Sequence, residues 1–303
     1  MSWFFIALFG PFFWSLTNHL DKFLLSKHLN GIGKGALILY STLFGLFVLP
    51  IILIINPNVL SITISNIIVL ILAGIISALA IFFYLYALEI DEASVVVPFF
   101  QTIPIFGFIL GYLLLNETIT NLQILGSLVV LIGGVLLSID TVRDSGFRLK
   151  KKVPILMLIS SFLFALYEAL FKLAAINVGF FTGSFWQYFG LFIFGLVLYC
   201  SVATYRKDFH DLLKKHTSGF FTLNILNEST TIVGNCFYNF AILLAPISLV
   251  MATASFQPLF VFVIGTIISF YVPTLIKEKI SWKHLLQKSL AISLMLMGVY
   301  LMF

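Results

Sequence analysis

Long apolar stretches recur along the whole chain and are separated by short polar segments. The run 67–76 is continuously apolar, so it lacks the alternation that a transmembrane β-strand would show. A helix needs roughly 20 mostly apolar residues to cross a bilayer, and it satisfies its own backbone there. We therefore predict an all-α integral membrane protein with ten transmembrane helices. The predicted segments are 2–25, 33–55, 62–88, 93–115, 121–139, 153–176, 180–203, 219–243, 247–272 and 284–303.

The polar segments between the apolar stretches have the chemistry of turns and loops. The Asn-Pro-Asn sequence at 56–58 is typical of a turn. The most polar stretch, 143–152, divides the chain into two halves, and 206–218 is the other long loop. Within that second loop, His210 and Leu212 lie in a short sequence that predicts an amphipathic helix on the membrane surface.

The composition fits a membrane protein and excludes a water-soluble globular one. Of 303 residues, 61% are hydrophobic and 10% are charged, whereas a soluble domain is about half apolar and a quarter charged. The net charge of +5 then reflects basic loops rather than nucleic-acid binding. Cys200 and Cys236 form no ligand pattern and are expected to pack as small apolar side chains. Apolar sequence begins at Trp3 with no basic segment before it, so no cleavable signal peptide is predicted.

Lysine and arginine are distributed on one side of the predicted topology. The loops after even-numbered segments and both tails hold none of them. Because basic loops stay in the cytoplasm, we predict a protein of the cytoplasmic (inner) membrane with both termini outside. The basic residues around the loops after odd-numbered segments are Lys27, Lys34, Arg143, Arg148, Lys150, Lys151, Lys152, Arg206, Lys207, Lys214, Lys215, Lys277, Lys279, Lys283 and Lys288.

The two halves of the chain repeat one another weakly. Phe83, Tyr84, Ala87, Ser94 and Pro104 recur, at a constant offset of 154 residues, as Phe237, Tyr238, Ala241, Ser248 and Pro258. Nearer the start of each half, Lys22 and Lys172 match at an offset of 150 residues. The repetition indicates that one structural unit occurs twice.

Each half holds five predicted segments, and this odd number makes the second half enter the membrane upside down. We predict a first five-helix repeat over residues 1–140, a basic connecting loop over 141–152 and a second five-helix repeat over 153–303. Inverted repeats are a recurrent plan of secondary transporters, whose substrate site lies near the midplane between the repeats.

Short motifs follow one another in a characteristic order along both halves. They are Trp14, Lys22, Tyr84-Leu85-Tyr86-Ala87-Leu88, Ala93-Ser94, Pro104, Leu113-Leu114-Leu115-Asn116-Glu117, Gly126 and Gly133-Gly134, echoed later by Pro258, Glu278 and Gly298. In order and spacing they resemble the drug/metabolite transporter superfamily, in particular its EamA-type ten-helix members. The resemblance implies a transporter of small polar metabolites, often amino acids, nucleotide sugars or related compounds and sometimes drugs, without a cofactor. Two features depart from it. Many relatives have cytoplasmic termini, and here a short insertion precedes Glu278.

Glu228 is the most informative ionisable residue, because a charge at the bilayer centre costs about 3 kcal/mol or more. It lies near the middle of the eighth segment. It is either a proton carrier or ligand of a cationic substrate group, or a structural carboxylate bonded to nearby hydroxyls. Asn235, Tyr238 and Asn239 share its helical face. That face either lines a cavity or bonds to neighbouring helices.

Glu168 and Lys172 lie one helical turn apart, with the acid first, which favours an ion pair. They either neutralise each other, or Lys172 faces the cavity and Glu168 tunes it. Asn18 and Lys22 occupy matching positions in the first segment, where Lys22 either extends to the interface or faces inward. Two inward lysines would suit a carboxylate or phosphate on the substrate, and with Glu228 they would suit a zwitterion.

A second group of candidates is aromatic or neutral, as the walls of small-molecule sites commonly are. Tyr86, Gln101, Trp186 and Gln187 belong to it, each with ordinary packing as the alternative. The predicted substrate-binding set is Asn18, Lys22, Tyr86, Gln101, Glu168, Lys172, Trp186, Gln187, Glu228, Asn235, Tyr238 and Asn239, and Glu228 is also the proton-coupling candidate.

Four further residues at helix breaks and ends are given structural interpretations. Pro104 and Pro258 predict bends, which are either hinges for alternating access or plain kinks. Glu117 and Glu278 lie at segment ends, where they are expected to cap the next helix.

Together these patterns predict a secondary transporter, an exporter or exchanger, of a small polar metabolite such as an amino acid or related compound. The alternatives are a non-transporting receptor or assembly protein on the same fold and, less favoured, a membrane-embedded lipid-modifying enzyme. Scattered histidines and the lack of H-E-x-x-H, G-x-S-x-G and P-loop motifs argue against catalysis. We expect no cofactor, no metal and no nucleic acid. The expected partners are the substrate and the bilayer. A homodimer with a second copy of the chain is compatible with the sequence.

Overall fold

The computed structural model describes residues 2–27, 34–90, 96–138, 152–215, 218–271 and 282–303, and all regular elements in these ranges are helical. The α-helices are α1 (Ser2–Lys27), α2 (Lys34–Ile55), α3 (Ile64–Ile90), α4 (Ile103–Leu115), α5 (Asn121–Ser138), α6 (Lys152–Val178), α7 (Phe180–Ser201), α8 (Ala203–Lys215), α9 (Ser218–Ile242), α10 (Ile247–Thr253), α11 (Gln257–Tyr271) and α12 (Trp282–Met302). Helix lies along each of the ten predicted segments. Most of the predicted connecting loop, 141–152, is outside the described residues.

The fourth and ninth apolar segments are interrupted rather than continuous. A 3-10 turn, Val97–Thr102, precedes α4, and a second one, Ala254–Phe256, separates α10 from α11. Pro104 and Pro258 each lie in the first turn of the helix that follows. Proline lacks a backbone N–H and restricts the residue before it, so a helix accommodates it best at its start. The bends predicted at these prolines are therefore short interruptions just before them.

Six helical segments among the described residues are long and apolar enough to cross a membrane. They are Gly35–Ile55, Ile64–Ala87, Pro98–Leu115, Lys152–Val178, Phe180–Ser201 and Ile247–Ser269. Two shorter helices, Asn121–Leu137 and Leu286–Met302, are also apolar. Large apolar side chains point outward, with Ile54 81% and Tyr300 82% exposed. An apolar exterior of this kind requires lipid around it, so the chain is a multi-pass integral membrane protein.

Helix α8 is the helix predicted within the second long loop. Its Leu212 is buried and packs with Ala36 and Phe220, while Lys207 and Lys214 are exposed. The helix is therefore amphipathic, and its apolar side packs against α2.

The two halves of the chain pack against each other reciprocally. Helix α1 packs on α9 and α11, and α6 packs on α3 and α4. Thus the first helix of each half contacts the third and fourth apolar segments of the other half. Helix α2 packs on α7, its counterpart, and α5 packs on α12, its counterpart. Most of the interior consequently lies between the halves.

Glycine permits the closest of these crossings. A Cβ on Gly190 of α7 would lie 2.2 Å from the carbonyl oxygen of Ile71 in α3, and a Cβ on Gly74 would lie 2.0 Å from that of Gln187. Gly126 and Gly298 oppose each other in the same way where α5 meets α12. Small residues let helix backbones approach directly in a membrane. Gly126 and Gly298 therefore serve the packing of α5 on α12.

Candidate functional site

Helix α9 carries a row of polar side chains that bond to the neighbouring helices. The Asn227 Nδ2 donates to Asp21 Oδ1 of α1 over 2.7 Å. One residue later, Glu228 Oε1 accepts a hydrogen bond from Ser41 Oγ of α2 over 2.5 Å. The Glu228 carboxyl is half-buried. The polar row therefore faces the first half of the chain rather than lipid at this level.

Further along α9, the same row bonds to α1 and α7. Trp14 Nε1 donates to Asn235 Oδ1 over 2.8 Å, and Asn239 Nδ2 donates to Gln187 Oε1 over 3.1 Å. The Tyr238 ring lies 4.9 Å from the Trp14 ring, centroid to centroid. Asn235, Asn239 and Gln187 thus take part in bonds between helices, while their role as substrate ligands stays a prediction.

Among the described residues predicted to form the site, Glu168 of α6 has the most buried carboxyl group. Its side chain is 4% exposed, and its Oε2 atom is buried without a hydrogen-bond partner. Tyr167 and Tyr238 are close enough to interact electrostatically with it. The Tyr238 hydroxyl itself donates to the Val250 carbonyl oxygen over 3.3 Å. A buried polar atom without a partner is uncommon in proteins and requires an explanation, such as strain or a bound water or ion.

Lys172 forms its ion pair with Glu117 rather than with Glu168. Its Nζ also donates to the Ala245 carbonyl oxygen over 2.6 Å. The other Glu117 oxygen, Oε2, accepts from the backbone N–H of Ile247 over 2.7 Å, at the start of α10. The expected mutual neutralisation of Glu168 and Lys172 is therefore wrong, because the end of α4 supplies a closer acid. Glu117 does cap a helix, but that helix is α10 of the other half.

Gln101 lies in the first 3-10 interruption and Ser255 in the second. The Gln101 Oε1 and the Ser255 Oγ are both buried without a hydrogen-bond partner. Both residues lie against Gly134, where a Cβ would be 2.8 Å from Gln101 Oε1 and 2.9 Å from Ser255 Cβ. The two residues occupy equivalent positions of the repeat, at the offset of 154.

Tyr86 and Trp186 make contacts outside this interior row. Tyr86 is 42% exposed and stacks on Phe82. Trp186 Nε1 donates to the Val59 carbonyl oxygen over 2.9 Å, which fixes the turn between α2 and α3. Asn18 is half-buried on α1. The Lys22 side chain is outside the described residues.

Two contributors to the interior were not predicted from the sequence. Ser41 lies between Tyr40 and Thr42 in the otherwise apolar helix α2, and nothing in its local pattern distinguishes it from them. Asn227 precedes Glu228 in the sequence and was not among the predicted site residues, although its side chain donates to Asp21. The polar row on α9 was the available signal, since its bonding partners had to lie on adjoining helices.

A polar depression of about 700 Å³ opens where the α2–α3 turn meets the α6–α7 turn. Amide and hydroxyl groups dominate its lining, together with two aliphatic side chains. The lining residues are Asn56, Asn58, Ser61, Ile62, Thr63, Asn66, Asn177, Val178 and Thr182. It is separate from the interior row on α9.

A protein-family model matches the first half of the chain. Residues 1–139 match the model of the EamA-like transporter family. The first half of the chain is thus similar to EamA-like transporters. That family lies within the drug/metabolite transporter superfamily, and its members are transporters rather than enzymes. The resemblance drawn from the sequence motifs is thereby confirmed.

A likeness to a solved structure extends over both halves. A crystal structure of another protein aligns with a TM-score of 0.69 and 15% identity, over 99% of this chain and 96% of that chain. At such low identity the likeness shows the fold alone. No curated protein matches the sequence.

Proposed function

We propose that the protein is a secondary transporter that moves a small polar metabolite by alternating access between two inverted five-helix halves. The observation that carries this proposal is the interior polar row on α9. It bonds to α1 and α2 of the first half, Asn227 with Asp21 and Glu228 with Ser41. Polar groups at the boundary between repeats are where transporters of this plan bind their substrates.

The helix contacts support the inverted arrangement of ten membrane-crossing helices. Gly10 of α1 meets Gly234 of α9, and Ser160 Oγ of α6 donates to the Ala80 carbonyl oxygen of α3 over 2.8 Å. Gly10 and Ser160 are related by the offset of 150 residues, and Ala80 and Gly234 by that of 154. Two equivalent crossings at equivalent positions are what a pseudo-twofold repeat requires. Domain limits of 1–140 and 153–303 follow from it.

The proposal also includes the substrate class, the direction of transport and the proton-coupling group. We take an amino acid or related compound as the starting substrate class, moved as export or exchange across the inner membrane. Glu228 is the proton-coupling group, because it is the acid in the middle of the polar row. Its Ser41 bond would then be made or broken as the halves move.

Transport by purified protein in proteoliposomes tests the proposal. Counterflow of labelled amino acids, amines, nucleotide sugars and phosphorylated sugars should identify at least one solute that moves faster than in empty vesicles. Glu228→Gln retains an acceptor for Ser41 and should fold normally, yet its flux should no longer depend on the pH gradient. Flux of that variant with an unchanged pH dependence would remove Glu228 from coupling. A well-folded protein that moves no solute would contradict the transport proposal itself.

A further inference from the structure

Among the described side chains of this polar region, acidic groups outnumber basic ones. Asp21, Glu168 and Glu228 contribute carboxyl groups from three helices. Lys172, the buried lysine on α6, is held by Glu117 and by the Ala245 carbonyl oxygen. Its ammonium group therefore links chain segments at the ends of helices. If it bound a substrate instead, Glu117 would remain partly buried without its cation.

Of the three acids, Glu168 has the geometry of a ligand-binding group. Asp21 is exposed and Glu228 is half-buried, and they accept hydrogen bonds from Asn227 and Ser41, whereas the hydrogen-bond partner of Glu168 is Tyr167. Glu168 is 4% exposed and keeps one carboxyl oxygen without a partner. A buried carboxylate is costly unless a cation and hydrogen-bond donors meet it. An ammonium group supplies both, since it carries the charge and three N–H donors.

Aromatic rings lie in the same part of the interior as Glu168. Trp14 and Tyr238 lie 4.9 Å apart, with their planes inclined by 55°. Tyr238 and Tyr167 are near Glu168, and Tyr188 is near Tyr167. The faces of Trp and Tyr rings attract cations, with about 0.5 to 2 kcal/mol per contact. A carboxyl group among such rings is the chemistry that selects an organic cation.

We infer that this interior site binds the ammonium group of an amine, with Glu168 as its counter-ion and Trp14 and Tyr238 as an aromatic wall. The inference rests on the proposed transport function and specifies its substrate class. It also changes the zwitterion expected from the sequence, because that expectation used both Lys22 and Lys172, and Lys172 is paired with Glu117. A substrate carboxylate finds no unpaired lysine or arginine in this part of the described interior.

Three related probes test which charged group of a ligand the site recognises. They are phenethylamine, phenylalanine and 3-phenylpropionate. They share an aromatic ring and carry the amine alone, both groups, or the carboxylate alone. Thermal unfolding of the purified protein should shift upward with phenethylamine, because a ligand of the folded state stabilises it by mass action. The shift with 3-phenylpropionate should be absent. Phenylalanine should bind no more tightly than phenethylamine.

Three substitutions test whether Glu168 is the counter-ion of the amine. Glu168→Gln should weaken phenethylamine binding about 10-fold or more, as expected for loss of a charged hydrogen bond. Asp208→Asn, on the surface helix α8, removes an equal charge and should leave binding unchanged. Glu168→Asp keeps the charge and should retain part of the affinity, which covers the case in which the glutamine variant does not fold.

The outcomes distinguish this inference from the transport proposal. Binding of 3-phenylpropionate, unchanged phenethylamine affinity in Glu168→Gln, or no shift with phenethylamine would overturn the amine site. Uptake of phenylalanine or another solute without amine binding would leave transport standing and overturn the amine class. Amine binding that depends on Glu168, in a protein that moves no solute, would instead contradict transport and retain the site.

Discussion

At the scale of single residues, the buried ion pair shows which part of a site local sequence can supply. The spacing of Glu168 and Lys172 favours a bond between them, and that rule holds for isolated helices. Glu117 is distant in sequence, yet α4 ends beside α6 and brings its carboxylate to Lys172. The sequence predicted that both charges lie inside the membrane region. Their partners depend on helix packing, which one-dimensional periodicity does not encode.

Lys172→Met should destabilise the protein strongly. Removing one partner of a buried pair costs about 3–5 kcal/mol, because the other charge stays buried without compensation. Here the variant also loses the hydrogen bond to the Ala245 carbonyl oxygen. Thermal unfolding in detergent or nanodiscs measures the effect, with Lys207→Met on the exposed side of α8 as the control.

The double variant Lys172→Met/Glu117→Gln examines the cause of that loss. Glutamine keeps an oxygen for the Ile247 N–H but carries no charge, so part of the stability lost in Lys172→Met should return. A double variant that is less stable than Lys172→Met would show that the pair is not the source of the effect. An equal stability of Lys172→Met and the original protein would contradict the prediction outright.

At the scale of helices, the apolar pattern was sufficient for most boundaries. The hydrocarbon thickness fixes the length of a crossing, so helices such as α2 and α7 begin and end close to the predicted limits. The interruptions of the fourth and ninth segments were predicted only as proline bends. Proline marks where a helix restarts, whereas the preceding 3-10 turns depend on packing against α6 and α1.

Gly190→Ala should disrupt the crossing of α7 with α3. The new Cβ would lie 2.2 Å from the Ile71 carbonyl oxygen, which is backbone and cannot rotate away. The helices must therefore separate, with a cost of about 1–3 kcal/mol typical of overpacking. Gly45→Ala is the matched control, since its Cβ would meet its nearest neighbour, the Tyr188 carbonyl oxygen, at an ordinary 3.4 Å. Equal thermal midpoints for the two variants would refute the tight crossing.

At the scale of the whole molecule, the internal repeat of the sequence carries the long-range information. Equivalent positions such as Tyr84 and Tyr238 identify which helices correspond. The proposed inverted twofold requires that a contact between α1 and α9 be matched by one between α6 and α3, and both contacts are present. The repeat could not predict the differences between the halves. Trp14, for example, bonds to Asn235, whereas the position equivalent to Trp14 is Phe164, which has no polar atom to donate.

We predict the orientation of the whole molecule in the membrane from its basic loops. Lysine and arginine occur around the loops after odd-numbered segments, and such loops remain cytoplasmic. Alkaline phosphatase folds to an active enzyme only outside the cytoplasm, so a fusion after Phe303 should be active and one after Lys214 should be inactive. The reverse pattern would mean that the orientation usual among EamA-type relatives overrides the charge distribution. Because helix contacts are the same in either orientation, that result would change the direction of the transport cycle and leave the interior site as described.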